Sequence, residues 1–365
     1  MEENILFVFG AGFTYDFTDG NIPLLISDWG LGLLEADYNR KGEKKDLFKY
    51  KIIKYFQEER GYNIESMLTR LNIDTPSYNE INEIKIKELY SEILEIYINK
   101  IKDVSDIYWN NIKDIKKIYN NNLEKLNDKQ KLIYKLALYC KENKINCITL
   151  NIDTIFDEIL YKTNGDWHPD IGYGFFCPQI IPNKAMSINI DGIKYLKLHG
   201  SINWRTYRSS HCSNDIEQIR HYEDWFVTEE KEGVRNDDNF IEDHLNKDRI
   251  VVPPLLSKKD FMSQTIFYTI WKSSSRIISN ADKIFFVGYS FPATDYTIRS
   301  LFQENVKPEC EIIYITRKCP SEKSVEIIKT EKEKLMNIFR GIKEDTIQIL
   351  PIGASDWVSS LIDGS

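Results

Sequence analysis

Four strings in this chain place reactive or phosphate-friendly residues where apolar runs end. Phe7-Val8-Phe9-Gly10-Ala11-Gly12-Phe13-Thr14 closes on two glycines and a hydroxyl, and Thr149-Leu150-Asn151-Ile152-Asp153 sets an amide and a carboxylate two positions apart. Leu196-Lys197-Leu198-His199-Gly200-Ser201-Ile202-Asn203-Trp204 turns on a histidine. Phe286-Val287-Gly288-Tyr289-Ser290-Phe291-Pro292-Ala293-Thr294-Asp295 repeats the order of apolar run, glycine, hydroxyl and carboxylate. A strand that passes into a helix through glycine lets a phosphate come close, because no Cβ blocks it and the N–H groups of the first turn face the anion. An imidazole is the natural general base near neutral pH. Asn151 and Asp153, two apart, would point to one side of an extended backbone.

Each string also has a plainer explanation. Glycine turns after strands are common connectors, and Asp153 can be the N-cap of a helix beginning near Thr154. Ser201 can be a helix or turn cap, and Thr294 or Asp295 an N-cap. His199 can be structural, although it alone of the five histidines ends an apolar run; His168, His211, His221 and His244 lie in polar surroundings.

The elements that would position these residues can be read from periodicity. Short apolar runs at 4–9, 146–150, 193–198, 283–288 and 311–315, with 347–350 as a sixth, suit strands buried on both faces of a parallel sheet. Helical strings follow at 154–160, 294–302 and 321–339, giving the alternation of a doubly wound, mostly parallel Rossmann-like α/β fold. In such a sheet ligands bind at the carboxyl edge of the strands, where all four strings fall. Between the first two strands, residues 35–145 carry apolar residues at helical spacing, among them Ile86, Leu89, Tyr90, Ile93, Leu94, Tyr97 and Ile101, opposite Lys, Glu and Asn. They predict four or five amphipathic helices forming an inserted helical subdomain. Residues 205–250 are polar without a period and predict a loop-rich cap or lid.

Composition narrows the function classes. The chain has 365 residues, 42% hydrophobic and 28% charged, with a formal charge of −8, which argues against a general nucleic-acid or anionic-membrane surface. No apolar run reaches the roughly 18 residues of a membrane helix. The acidic start Met1-Glu2-Glu3 does not read as a signal peptide, so a cytoplasmic protein is expected. None of the six cysteines stands in a Cys-x-x-Cys spacing, so neither a zinc site nor a disulfide framework is expected; Cys147 and Cys310 read as small core residues.

Taken in order, the four strings resemble the sirtuin-like (SIR2-like) NAD hydrolases of bacterial anti-phage defence. That family's pattern is Gly-Ala-Gly-x-Ser/Thr, Thr-x-Asn-x-Asp, Leu-His-Gly-Ser with Trp soon after, and Gly-x-Ser with Asp close behind. The likeness runs from Phe7 to about Arg317, within a single sirtuin-like NAD-binding domain over 1–365. Three departures separate the chain from the protein deacetylases of the family. Cys212 is the only cysteine between His199 and Gly288, where the deacetylases carry a four-cysteine zinc ribbon. Gly20-Asn21-Ile22-Pro23-Leu24-Leu25 replaces their Gly-Ile-Pro-Asp-Phe-Arg, and Leu150 stands where they have Gln.

The resemblance implies NAD as substrate, no zinc, and cleavage of the nicotinamide–ribose bond. It implies that Asn151 binds the ribose hydroxyls or the attacking water, that His199 is the base, and that Asp153 orients ribose or the nicotinamide amide. Gly10, Ala11, Gly12 and Thr14 would hold the pyrophosphate; Gly288 and Ser290, with Asp295 behind them, would close over phosphate and the adenosine ribose; Thr316 and Arg317 would border the adenosine. Protein deacylation, ADP-ribosyl transfer and non-catalytic NAD or ADP-ribose sensing are the alternatives. The resemblance further implies an abortive-infection effector restrained by self-assembly through the 35–145 helices, or by a partner such as a HerA-type ATPase or an Argonaute-like protein. Membrane and direct nucleic-acid partners are not expected.

Overall fold

The computed structural model describes residues 3–22, 80–112, 118, 120–163, 192–207, 220–221, 245–252, 265–292 and 295–364, with isolated positions at 51, 54–55, 58, 167 and 172–174. Six strands form one parallel sheet: β1 (Ile5–Phe9), β2 (Asn146–Thr149), β3 (Tyr195–Lys197), β7 (Lys283–Val287), β8 (Glu311–Ile315) and β9 (Ile347–Leu350). Their spatial order is β3-β2-β1-β7-β8-β9. Each predicted strand is present, trimmed by up to three residues where glycine or a turn takes over.

The register places the last residues of all six strands, Lys197, Thr149, Phe9, Val287, Ile315 and Leu350, in one row across the sheet. The chain therefore leaves every strand at the same edge. Because β2 and β7 flank β1 on opposite sides, the strand order reverses there, and the crevice of a doubly wound sheet opens at that point.

Helices α1 (Ala11–Phe17), α2 (Glu80–Tyr108), α3 (Asp128–Glu142), α4 (Ile155–Lys162), α5 (Thr265–Asn280), α6 (Tyr296–Asn305), α7 (Ser321–Ile338) and α8 (Ala354–Asp363) alternate with the strands. α3 begins on a capping box: the Asn127 side chain accepts from the Gln130 N–H, and the Gln130 side chain accepts from the Asn127 N–H. Its buried face, Ile133, Leu136, Ala137 and Cys140, packs with α8 and α4, and it feeds directly into β2. The described part of the 35–145 stretch thus holds two long helices, α2 and α3, separated by short 3₁₀ turns at Asn110–Ile112 and Asn120–Lys125. Residues 35–79 lie outside the described residues but for those isolated positions.

The link after α2 is tied to α4. Trp109 Nε1 donates to the Ile155 carbonyl at 3.0 Å, and Lys162 Nζ donates to the Ile112 carbonyl at 3.0 Å while pairing with Glu158 at 3.1 Å. The core beneath the strand ends is aromatic: Phe9 stacks on Phe13, both meet Phe156 edge-on, and Phe156 meets Tyr195. Such pairs add directional packing to their buried area.

The expected loop-rich cap differs in part. β4 (Gly200–Tyr207), β5 (Arg220–His221) and β6 (Leu245–Val251) form a small antiparallel sheet in the order β5-β4-β6. Ser201 is accordingly a strand residue and not a cap; it is fully buried, and its hydroxyl donates to the Ile152 carbonyl at 3.4 Å. The remainder of 205–250 lies outside the described residues. Among those described, no helix is long and apolar enough to cross a membrane.

Candidate functional site

The candidate residues converge because their strands end in one row. From β1, the Phe9 carbonyl receives the Leu150 N–H at 3.0 Å, and the Gly10 carbonyl receives Asn151 Nδ2 at 3.0 Å. From β2, the Leu150 carbonyl receives His199 Nδ1 at 3.1 Å, in the turn between β3 and β4. The His199 carbonyl in turn accepts the Val252 N–H at 2.8 Å, which fixes the turn to the end of β6. Two hydrogen bonds, joined through the Leu150–Asn151 peptide bond, thus connect His199 to Gly10. Asn151 is buried and His199 half-buried, so the imidazole reaches the edge of the site while the amide is anchored.

The glycines serve a role the sequence does not disclose. Gly10 N–H donates to the Val287 carbonyl at 3.0 Å and Gly12 N–H to the Gly288 carbonyl at 2.8 Å. A Cβ on Gly12 would stand 2.8 Å from the Gly288 Cα, and one on Gly288 would stand 2.3 Å from the Phe13 nitrogen. Gly288 also has φ +67°, the left-handed region that favours glycine. The two glycine turns pack backbone to backbone. The expectation that the freed N–H groups face an anion is corrected accordingly: those of Gly12 and Phe13 are bonded to the carbonyls of Gly288 and Gly10. Ala11 is exposed at the start of α1.

Thr14 and Asp153 meet each other. Thr14 is buried, and its one hydroxyl hydrogen faces two acceptors, the Ala11 carbonyl at 3.4 Å and the Asp153 carboxylate. Asp153 Oδ1 accepts the Ile155 N–H at 3.1 Å in the first turn of α4, so the carboxylate helps cap that helix although Thr154 occupies the N-cap position. The chain has left the strand by Leu150, so the period-two expectation for Asn151 and Asp153 does not operate, and each finds a different partner. Burial pushes the Asp153 carboxyl up to about 6; the Lys197 ammonium, the Ile155 N–H and Thr14 oppose this, and Asp157 adds to it.

On the other side of β1, Ser290 is exposed, and its carbonyl accepts Lys334 Nζ at 3.2 Å. Asp295 sits at the N-cap position of α6 without a side-chain cap bond; it accepts from Tyr289 Oη at 3.3 Å, turned toward that ring rather than toward the glycines. Thr316 lies one residue past β8, beside Gly288, whose N–H donates to the Ile315 carbonyl at 3.0 Å; Arg317 next to it is exposed.

A buried group that sequence reasoning missed stands behind the site. Lys197, the last residue of β3, is fully buried and pairs with Asp157 of α4 at 2.8 Å. Its ammonium also donates to the Asp153 carbonyl, and Tyr173 Oη donates to Asp157 at 2.9 Å. A lysine flanked by Leu196 and Leu198 in a strand buried on both faces was the available signal, since such a charge needs a carboxylate partner. Among the described residues no group of three or more His, Cys, Asp or Glu side chains stands together as a metal site; Cys177 and Cys212 lie outside them.

No protein-family model and no curated protein matches the chain. Among solved structures, one on the structural basis of sirtuin substrate affinity aligns with 99% of this chain and 94% of its own, at 12% identity and TM-score 0.40. A complex of a Sir2 homologue with NAD aligns over 99% and 88%, at 12% identity and TM-score 0.35. A complex of Sir2 with a p53 peptide and NAD+ aligns over 99% and 92%, at 11% identity and TM-score 0.37. Likeness this distant assigns neither family nor activity.

Proposed function

We propose that this chain is an NAD+ glycohydrolase, cleaving the nicotinamide–ribose bond to give nicotinamide and ADP-ribose. One observation carries the proposal: His199 Nδ1 is bonded to the Leu150 carbonyl, directly beside the anchored Asn151. A carbonyl only accepts, so Nδ1 of the neutral ring bears the hydrogen. Nε2 then holds the lone pair that a general base requires.

The residues suit the ribose end of a dinucleotide. Asn151 spends an amide hydrogen on Gly10, which fixes the side chain and leaves its oxygen to accept from a ribose hydroxyl or a water. Ala11 and Ser290, exposed just past the ends of β1 and β7, would meet a diphosphate lying over the packed glycine turns. In hydrolysis the water oxygen bonds to C1′ and its proton passes to His199 Nε2. The electron pair of the C1′–N bond returns to the nicotinamide ring and cancels its charge. The transition state has oxocarbenium character, as in glycoside hydrolysis.

Nicotinamide release from NAD+ without any peptide tests the proposal. His199→Ala should lower turnover by about 10²–10⁴-fold with the melting temperature held; Asn151→Ala should also lower turnover, and melt lower because the buried Gly10 carbonyl loses its partner. Release only on addition of an acyl-lysine peptide would indicate a deacylase, label appearing on protein a transferase, and binding without turnover a sensor. On the motif resemblance, we extend the proposal to an abortive-infection role under restraint by self-assembly or a HerA-type ATPase. NAD+ measurements in infected cells and light scattering of the protein, alone and with that ATPase, test the extension.

A further inference from the structure

We propose that Lys197 is a positioning residue: its buried contact with the Asp153 carbonyl and the Asp157 carboxylate holds the 150–153 segment in place against the His199 turn. This rests on the assignment of Asn151, Asp153 and His199 to the NAD-cleaving edge.

The segment follows β2 and has no secondary structure over its first residues, so side chains and neighbouring strands must hold it. Leu150 is held by Phe9 and His199, and the Ile152 carbonyl accepts the Ile202 N–H at 2.9 Å. The Asp153 carbonyl, one residue before the Thr154 N-cap of α4, is taken by Lys197. The same ammonium lies 2.8 and 3.2 Å from the two Asp157 oxygens. Lys197 therefore ties the end of β3, two residues before His199, to the point where the Asn151–Asp153 segment enters α4.

Stability does not account for this pair. Both side chains are fully buried, and desolvation of two such charges commonly cancels their attraction, so an apolar pair of like volume would serve the fold as well. A fixed ammonium does what apolar packing cannot: it bonds a particular carbonyl and holds a nearby carboxylate toward its anionic form. The groups facing Asp153 are Lys197 and Tyr195 from β3, Asp157 from α4 and Thr14 from α1; Tyr173 completes the cluster through Asp157.

The test compares wild type with Lys197→Met and with Lys197→Met/Asp157→Asn in the full chain. The single variant leaves Asp157 buried without its cation and should melt far lower. The double variant removes both charges, keeps an acceptor for Tyr173, and should melt close to wild type. If Lys197 positions the segment, the double variant still loses about 10²-fold in kcat through misplacement, with KM for NAD+ little changed. The acid limb of its pH profile also moves upward. Histidine ¹⁵N spectra give a readout that needs no turnover: His199 should show the Nδ1–H tautomer in wild type and mixed tautomers in the double variant. Failure of wild type to release nicotinamide, with this tautomer change still seen, would overturn the hydrolase assignment and leave the positioning role standing. A double variant with wild-type kcat, pH profile and His199 tautomer would overturn the positioning role.

Discussion

Asp153→Asn should make the protein more stable at neutral pH, and by an amount that grows with pH. Burial raises the folded-state pKa of Asp153 from 3.8 to about 6, with the Lys197, Ile155 and Thr14 contributions already included. In the unfolded chain the group returns to its ordinary value. Between those two values the folded protein keeps a proton that the unfolded chain has released, so the contribution of this group is favourable below the lower value. It is lost as pH rises through about 6. A difference of about two in pKa corresponds to about 3 kcal/mol of destabilisation once the carboxylate is fully ionised. Asparagine has the same shape, still accepts the Ile155 N–H and carries no charge to bury.

Urea unfolding followed by tryptophan fluorescence, with seven tryptophans as reporters, measures the gap between the two proteins. From about pH 4 to about pH 7.5 the advantage of Asp153→Asn should widen by about 2 kcal/mol. Nicotinamide release by the same variant should fall, since a carboxylate kept at a cost to the fold is retained for the site. A gap independent of pH, or a wild type more stable than the variant at neutral pH, would refute the claim that burial controls Asp153.

Other substitutions probe the remaining contacts. Gly288→Ala forces a side chain onto φ +67° and against the Phe13 nitrogen, so it should cost on the order of 1–3 kcal/mol by chemical denaturation. Calorimetry should also show weakened NAD+ binding as the two turns part. Asp16 accepts the Ser355 N–H at 2.8 Å and its hydroxyl at 3.1 Å at the start of α8, with Lys129 beside it. Asp16→Ala should lower stability by about 1–3 kcal/mol while NAD+ affinity stays within a few-fold of wild type. His199→Ala should show the opposite pattern, turnover lost and melting temperature kept, whereas Asn151→Ala should lower both because the buried Gly10 carbonyl is left unpaired.

The six parallel strands were legible because strands covered on both faces are short unbroken apolar runs, such as Ile5 to Phe9, that stop at glycine, asparagine or charge. The small antiparallel sheet was not. Leu245-Asn246-Lys247-Asp248-Arg249-Ile250-Val251 has no apolar alternation, and the turn chemistry of Gly200-Ser201 obscured the start of β4. The candidate residues could be placed at strand ends from sequence, since a parallel sheet sends all its loops to one edge. Their local partners could not. Whether Gly12 faces a ligand or another glycine depends on Gly288, which is remote in sequence and adjacent only through the β1–β7 pairing. Lys197 and Asp157 stand 40 positions apart, and nothing in either string marks the other.

The strands at the two borders of the parallel sheet are also among its shortest, three residues in β3 and four in β9. Each presents few unpaired backbone groups along its outer side, too few to template the addition of a further strand from another molecule. Edge-to-edge polymerisation, the usual hazard of an open sheet, is thereby blunted at both ends. Among the described strands, contacts between copies at these two borders fall to side chains, so they can be remodelled by point substitution without disturbing the sheet that carries the site.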